Sequence, residues 1–209
     1  MYIPEPFKAS NPDHAAALIS AHPFGMLVTV SDGAPYVSHL PMLFERTAAR
    51  QGKLRGHMAR ANPQWRHFSS DSEILAVFQG PHAYISSSYY ATPGVPTWNY
   101  SAVHLRGIPR LTTDKTELAD LVEQLTRVHE SHMPIPWQPD RTDERQAKLL
   151  DAIVGFEIVI TDIQAKFKLS QNRSLEDRQL VIAALNQSGL QTDAELAQLM
   201  AQIMLDAPR

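Results

Sequence analysis

The amino-acid sequence predicts a mainly β protein with peripheral helices, an α+β chain whose strands form an antiparallel barrel or sandwich. Several short segments are rich in β-branched and aromatic residues. Most of them are separated by turn-forming residues, of which Asp32-Gly33 and Gly80-Pro81 are examples. Short strands at this spacing favour antiparallel pairing, because parallel strands need a long crossover between them.

The first element is a short helix over residues 11–21, because Asn11 is a good capping residue and Pro12 suits the first helical position. The strand segments follow it. They are GMLVTV (25–30), PYVSHLPMLFE (35–45), KLRGHM (53–58), EILAVFQ (73–79), HAYISS (82–87), WNYSAVHLRGIPRL (98–111) and GFEIVITDIQAKFKL (155–169).

Between the last two strands, residues 114–130 form a clear amphipathic helix and residues 142–151 a shorter one. Two further helices occupy about 174–188 and 193–205 of the tail, and Gly189 ends the first of them. This division predicts a barrel domain over residues 1–173 and a helical pair over 174–209 that packs on the barrel or on a dimer partner.

Composition narrows the class of protein. The 209 residues carry a net charge of -3, are 44% hydrophobic and include no cysteine, which excludes disulfides and thiolate chemistry. No apolar run is long enough for a membrane helix, and the first residues lack the pattern of a secretory signal. We expect a cytoplasmic protein without membrane association.

One segment is unusually basic. No Asp or Glu interrupts the chain between Glu45 and Asp71, and six cations lie in or beside this gap: Arg46, Arg50, Lys53, Arg55, Arg60 and Arg66. A strand that ends at His57 or Met58 leads into ARANP, where Asn62 caps a helix that Pro63 begins. Backbone N–H groups at such a start, beside Arg60, can bind a phosphate, whereas the alternative is a solvated basic face.

Several other functions lack support. Although there are nine histidines, none shows the tight ligand spacing of a metal site, so no metal is predicted. There is no nucleophile elbow, phosphate-binding loop or dinucleotide glycine pattern. The tail helices resemble a helix-turn-helix, but Arg178 is their only base, so specific DNA binding by this tail is not expected.

Two further segments could contact a ligand. In VPTWNY, Trp98 and Tyr100 lie on one side of a strand and Asn99 on the other, so Trp98 can cover a planar ring or simply be a core aromatic. In AKFKLSQNR, Lys166 and Lys168 alternate along a strand that ends at Gln171, a pattern equally typical of a solvated edge.

Taken together, these motifs resemble the PaiB family, described as FMN-binding negative transcriptional regulators. The resemblance covers residues 1 to about 185, with ISSSYY where the family pattern has a proline and a tryptophan. The motifs, in order, are MYIPEPF, SHLPMLF, LRGHMARANPQW, FQGPHAYISSSYY, VPTWNYSAVHLRG and AKFKLSQNR.

The resemblance implies an antiparallel Greek-key split barrel that forms a homodimer and binds FMN between its subunits. It implies flavin-dependent redox chemistry or a flavin-linked regulatory role. The alternatives are a regulator that acts on DNA directly or indirectly, and a haem-binding relative. The residues implied to bind the cofactor are His39, Leu40, Pro41, His57, Met58, Ala59, Arg60, Asn62, Trp65, Trp98, Asn99, Lys168 and Gln171.

Overall fold

The structure, a computed structural model, describes residues 1–9, 11–47 and 50–206, and leaves the side chains of Pro12, Thr47 and Arg50 undescribed. The strands are β1 (Phe24–Ser31), β2 (Ala34–Thr47), β3 (Arg50–Ala59), β4 (Ile74–Ile85), β5 (Thr97–Thr112) and β6 (Ile153–Lys168). The α-helices are α1 (Pro12–Ala21), α2 (Lys115–Glu130), α3 (Glu144–Leu150), α4 (Leu175–Gln187) and α5 (Gln191–Leu205). Three short 3-10 helices cover Glu5–Phe7, Pro63–His67 and Ser87–Tyr89.

The strands form a closed barrel in the order β1-β2-β3-β6-β5-β4. The β1–β2, β1–β4, β2–β3 and β3–β6 pairs are antiparallel. Since β6, and not β4, lies next to β3, the last four strands form a Greek key. The mainly β fold with peripheral helices is therefore confirmed, and the barrel is the form it takes.

The predicted helices are also present. Asn11 accepts a hydrogen bond from the Asp13 amide at 2.9 Å, as expected of a cap to α1. In α2, Asp114 caps the amides of Thr116 and Glu117 at 2.9 Å each. The two tail helices correspond to α4 and α5, and α5 begins slightly earlier than the sequence indicated.

One strand prediction was wrong. Most of segments 73–79 and 82–87 forms a single strand, β4, which ends at Ile85, and Gly80-Pro81 is not a turn. Gly80 is required there because a Cβ at this position would lie 2.4 Å from Ser101 Oγ and 3.0 Å from Leu18 Cδ1. A close approach of neighbouring side chains, and not a bend of the backbone, explains this glycine.

The chain divides into two compact units. The first unit comprises Met1–Leu18, Gln79–Val103 and Ala165–Arg209, and the second comprises Ile19–Phe78 and His104–Gln164. The tail therefore belongs to the same unit as two segments from the barrel strands. A domain boundary at residue 173 stays a prediction.

In the second unit, the side chains of β3 alternate between the interior of the barrel and its outer face. Leu54 and Met58 are buried at 0% and 2% exposure, while the alternate residues Arg55 and His57 are only half-buried. Gly56 also faces inward, because a Cβ there would lie 2.7 Å from the ring of Phe156. On the outer face, α2 packs three leucines against β2, in a cluster of Leu43, Leu118, Leu121 and Leu125.

In the first unit, α4 and α5 pack against each other. Their buried apolar residues are Val181 and Leu185 from α4 and Leu196, Ala197 and Met200 from α5. The tail pair thus buries an apolar face, as its sequence pattern predicts. Over the described residues, no helix is long and apolar enough to cross a membrane.

Candidate functional site

The turn that follows β3 contains three of the predicted cofactor residues. The Asn62 side chain caps the 3-10 helix, because its Oδ1 accepts a hydrogen bond from the Gln64 amide at 3.0 Å. Its Nδ2 donates to Ser38 Oγ at 2.8 Å. Since Ser38 lies on β2, Asn62 fixes the turn to the strand that carries His39, Leu40 and Pro41. The predicted cap and the helix start at Pro63 are confirmed, and the helix is five residues long.

Arg60 is exposed and bound to the backbone. Its Nε donates to Asp151 O at 2.7 Å and its Nη2 to Ile153 O at 2.9 Å. Its amide donates to Ala152 O at 2.8 Å. These carbonyl acceptors orient the guanidinium. The ion pair with Lys115, at 2.6 Å, lowers the pKa of the Asp151 carboxylate, and the charge of Arg60 also acts on this group and helps to lower its pKa.

Gln64 was missed by the sequence analysis and is fully buried, at 0% exposure. Its Nε2 donates to Leu27 O at 2.8 Å and lies 3.2 Å from both Thr29 Oγ1 and Tyr36 O. These contacts attach the turn to β1 and β2. A glutamine beside a proline gives no sequence signal of burial, because glutamine is normally exposed.

Trp65 closes the turn from the other side. Its Nε1 donates to Arg60 O at 3.0 Å, and the guanidinium of Arg66 lies 5.3 Å from its ring centroid. His67 then contacts Thr29 Oγ1 through Nδ1 at 3.0 Å and meets the Tyr36 ring edge-on at 5.4 Å. Side chains of the turn are therefore fixed at both of its ends.

The predicted β2 residues lie beside this turn. In the β1–β2 ladder His39 pairs with Met26, Leu40 with Gly25 and Pro41 with Phe24. His39 is exposed, and its ring stacks on Phe24 at 6.1 Å between centroids. An exposed pair of stacked rings at a strand edge is a surface that a planar ligand can extend.

The three predicted cofactor residues of β3, which are His57, Met58 and Ala59, differ in how far their side chains are buried. Burial lowers the pKa of His57, so its imidazole is mainly neutral at pH 7. Its Nδ1 is buried and has no hydrogen-bond partner among the described residues. Met58 points into the core at 2% exposure, so only its backbone faces the turn, whereas Ala59 is exposed.

Much of the basic segment is neutralised inside the protein. Lys53 pairs with Glu45 at 3.2 Å and with Glu157 at 3.1 Å, and Arg55 pairs with Glu45 at 3.3 Å. Burial would raise the pKa of Glu45, but hydrogen bonds from Gln124, Lys53 and Arg55 lower it overall. Lys53 and Arg55 therefore do not form a solvated basic face. The Arg50 side chain lies outside the described residues.

The other four predicted residues belong to the first unit. Trp98 is 48% exposed, with its ring 5.8 Å from His82 and 6.3 Å from Tyr84. Asn99 is fully buried on the opposite side of β5, which confirms the predicted alternation. Its Nδ2 donates to Ser170 Oγ at 2.9 Å, and Ser170 has a positive φ of 63°.

Lys168 and Gln171 lie at the end of β6. Lys168 Nζ donates to Trp98 O at 2.7 Å and also to Thr97 Oγ1. Burial lowers the pKa of Lys168, and the charge of Lys166 adds to this, while Tyr100 opposes it. Gln171 uses its amide locally: its Oε1 accepts from the Leu169 amide at 2.7 Å and its Nε2 donates to Phe167 O.

Asp177 is a second residue that sequence reasoning missed. It is 1% exposed and accepts hydrogen bonds from the Ala91 amide at 2.9 Å and from Thr92 Oγ1 at 2.6 Å. It thus attaches the segment before β5, which leads to Trp98, to the start of α4. Among residues 1–9, 11–47 and 50–206, no three His, Asp or Glu side chains are grouped to hold a metal ion.

Comparison with known folds gives distant structural matches. The FAD and heme binding protein of Mycobacterium smegmatis matches with a TM-score of 0.60 at 15% identity, over 85% of this chain and 79% of that one. The flavocytochrome Anf3 of Azotobacter vinelandii matches with a TM-score of 0.59 at 15% identity, over 82% and 74% of the two chains. At these identities the likeness shows a shared fold alone.

Comparison of sequences is more specific. A family model described as "Putative FMN-binding domain" matches residues 1–162. The chain is also 40% identical over 206 residues to "Protease synthase and sporulation protein PAI 2" of Bacillus subtilis, and the match covers 96% of each protein. On both grounds, the chain belongs to the PaiB family, whose members share this domain.

Proposed function

We propose that this chain binds FMN at the turn after β3 and uses it in flavin-dependent oxidation or reduction. The observation that carries the proposal is that Arg60, Asn62 and Trp65 are joined in one hydrogen-bonded turn, within the region that matches the family model. FMN, when bound, supplies hydride or electron transfer, and the protein supplies orientation and electrostatics.

The residues of the turn fit a phosphate group. A phosphate requires a cation whose charge is not spent on a carboxylate. Arg60 comes nearest to this condition, because its guanidinium donates to two carbonyl oxygens and the one carboxylate that feels its charge, Asp151, is ion-paired with Lys115. Lys53 and Arg55 do not meet it, because both are paired with Glu45.

The flavin ring would extend from this phosphate along the neighbouring strands. His39, Leu40 and Pro41 of β2 and His57 and Ala59 of β3 supply its surroundings, with Trp65 beside the turn. Met58 contributes through its backbone, since its side chain is in the core. His57 is neutral there and places no charge against the ring.

We assign the second group of residues to the other side of the flavin, contributed by a partner subunit. Trp98 and Lys168 contact the ligand in this proposal, because one is exposed and the other is a cation held in place by Trp98 O. Asn99 and Gln171 position them, since their amides are already bonded to Ser170, Leu169 and Phe167.

Exposed apolar side chains support a homodimer. The β1–β2 hairpin presents Phe24 at 66% exposure, Val30 at 67%, Tyr36 at 37% and Val37 at 45%. By the strand register, Phe24, Val30 and Val37 lie on one face of the hairpin and form an apolar surface of the kind that interfaces bury, whereas Tyr36 lies on the opposite face. A second subunit packed here would cover them.

The test is a visible spectrum of the full-length protein after incubation with FMN and desalting. We expect flavin absorbance to elute with the protein at one flavin per chain. Complete loss of flavin on desalting, with no saturable binding at equilibrium, would contradict the proposal. A Soret band in the protein as purified would instead support the haem alternative.

A further inference from the structure

The second unit contains a cavity of about 430 Å³, between α2, α3, the segment that joins them, and the outer side of β3 and β6. This volume is in the range of small-molecule sites, roughly 300–1,000 Å³. His57 and Ile153 line it from the barrel side, and the helices line it from the other side. This cavity could not be predicted from the sequence, because it depends on how the segment that joins α2 and α3 folds back on the barrel strands.

The walls of the cavity are mainly apolar. Val122 of α2, Leu149 and Leu150 of α3, Ile153 of β6 and Trp137 of the joining segment all contribute. Trp137 is 53% exposed and Leu149 is 68% exposed, so considerable apolar surface remains for a ligand to cover. Covering such surface is favourable, and an indole ring favours a planar partner.

The cations that line the cavity are already paired with carboxylates. Lining cations and carboxylates are two each: Lys115 and Arg141 against Glu123 and Asp140. Arg141 pairs with Glu123 and, at 2.6 Å, with Asp120. Lys115 pairs with Asp151 at 2.6 Å. An anionic ligand would therefore meet no unpaired cation in this lining.

We propose that this cavity binds an uncharged aromatic molecule of up to about two fused rings with a substituent. The apolar walls and the Trp137 ring favour an apolar aromatic ligand, and the paired cations disfavour an anion such as the phosphate end of a flavin nucleotide. The site is separate from the proposed phosphate site at the turn after β3, although His57 borders both this cavity and the proposed flavin surroundings.

Two dyes with the same aromatic body test this directly. N-phenyl-1-naphthylamine is uncharged, and 8-anilino-1-naphthalenesulfonate carries one additional sulfonate. Both fluoresce more strongly in apolar surroundings. In titrations of the full-length protein we expect the uncharged dye to bind saturably at one site per chain, and at least about tenfold more tightly than the sulfonate.

Two sets of variants locate the binding. Ala119→Phe places a ring in the cavity from α2 and should abolish binding of the uncharged dye, while Ala194→Phe on α5 should leave it unchanged. The double variant Asp120→Asn with Glu123→Gln removes both partners of Arg141, so the sulfonate should bind about tenfold more tightly than in wild type. Glu117→Gln with Glu144→Gln, which changes the net charge equally, should not have this effect.

Three results would overturn the proposal. They are equal affinity for the two dyes, unchanged dye binding in Ala119→Phe, and displacement of the dye by saturating FMN. The last would assign the cavity to the flavin. Because flavin binding is measured separately by absorbance, a protein that fails to bind FMN yet binds the uncharged dye would contradict the proposed function and support this site.

Discussion

Arg60 has a structural role, and in the proposed function the same side chain also binds the phosphate. Its bonds to Asp151 O and Ile153 O fix the position of the guanidinium at the start of β6. Because carbonyl oxygens carry no net charge, the cation remains able to attract an anion. The basic residues Lys53 and Arg55 show the opposite case, since each is paired with Glu45.

The first prediction concerns this residue. Arg60→Ala should weaken FMN about ten- to a hundredfold, because a charge-assisted hydrogen bond contributes about 1.5–3 kcal/mol. Riboflavin, which lacks the phosphate, should be affected far less. Fluorescence titrations of both flavins measure this, with the exposed Arg145→Ala on α3 as the control. Equal losses for the two flavins would remove Arg60 from the phosphate site.

Residue types in the motifs could be predicted from the sequence, but their pairings could not. Lys53 meets Glu157 because β3 pairs with β6, a contact between residues more than a hundred positions apart. The burial of Gln64 depends in the same way on where β1 and β2 lie. A run of basic residues in the sequence does not show which carboxylates strand pairing places beside them.

At the scale of elements, the five-residue 3-10 helix is held by its side chains, because so short a helix has little stability of its own. Gln64 is the central one, with hydrogen bonds to β1 and β2. Its removal takes away the hydrogen bonds to Leu27 O, which is buried, and to Tyr36 O, which is partly buried.

Gln64→Leu should therefore lower the free energy of unfolding by about 1–3 kcal/mol. Urea unfolding followed by circular dichroism measures the change. Gln198→Leu, at an exposed position of α5, should change stability by less than about 0.5 kcal/mol. A Gln64→Leu variant as stable as the wild type would show that these hydrogen bonds do not hold the turn.

Asp177 connects two other elements, and its effect depends on pH. Hydrogen bonds from Thr92 lower its pKa, burial opposes this, and the Ala91 amide and Arg173 lower it further. A carboxyl whose pKa is lowered on folding stabilises the protein above its unfolded pKa. That stabilisation is lost as the pH falls through the folded pKa.

Asp177→Asn should consequently destabilise the protein at pH 7, and the difference from wild type should shrink below about pH 4. Chemical unfolding at pH 7, 5 and 3.5 gives this comparison. The neighbouring Glu176→Gln, at an exposed position, makes the same charge change and should show no such pH dependence. A difference that stays constant with pH would exclude the ionised carboxylate as the cause.

Most helices and strands could be predicted from the hydrophobic periodicity of the sequence and from the helix caps. The exception is β4. The Gly80-Pro81 pair is typical of a turn, yet it lies within β4. The reason is the close approach of Ser101 and Leu18, which only the folded protein shows. The cavity beside α2 and α3 could not be predicted either, because it also depends on how segments distant in the sequence meet in the folded protein.

At the scale of the whole molecule, we predict a homodimer through the exposed β1–β2 hairpin. Light scattering at micromolar protein should give twice the chain mass of 23.4 kDa. Val37→Lys should shift the protein toward monomer, because it places a charge in an apolar interface, whereas Leu149→Lys outside the hairpin should not. A wild-type protein that is monomeric with FMN bound would contradict the proposed two-subunit site.

Charge distribution leads to a further prediction for the whole molecule. The tail helices have one base, Arg178, and two cations of the basic segment are paired with carboxylates. We therefore expect no tight sequence-specific DNA complex at physiological salt, because such complexes neutralise several phosphates. Mobility-shift assays against competitor DNA, with and without FMN, would measure it. A specific complex at nanomolar protein would establish direct regulation.

We propose above that FMN binds at the turn after β3 and that its phosphate is recognised there. Equilibrium titration of the wild-type, full-length protein with FMN and with riboflavin tests it most directly. We expect saturable binding of one FMN per chain, at least about tenfold tighter than riboflavin. No saturable binding of FMN, or equal affinity for the two flavins, would contradict it.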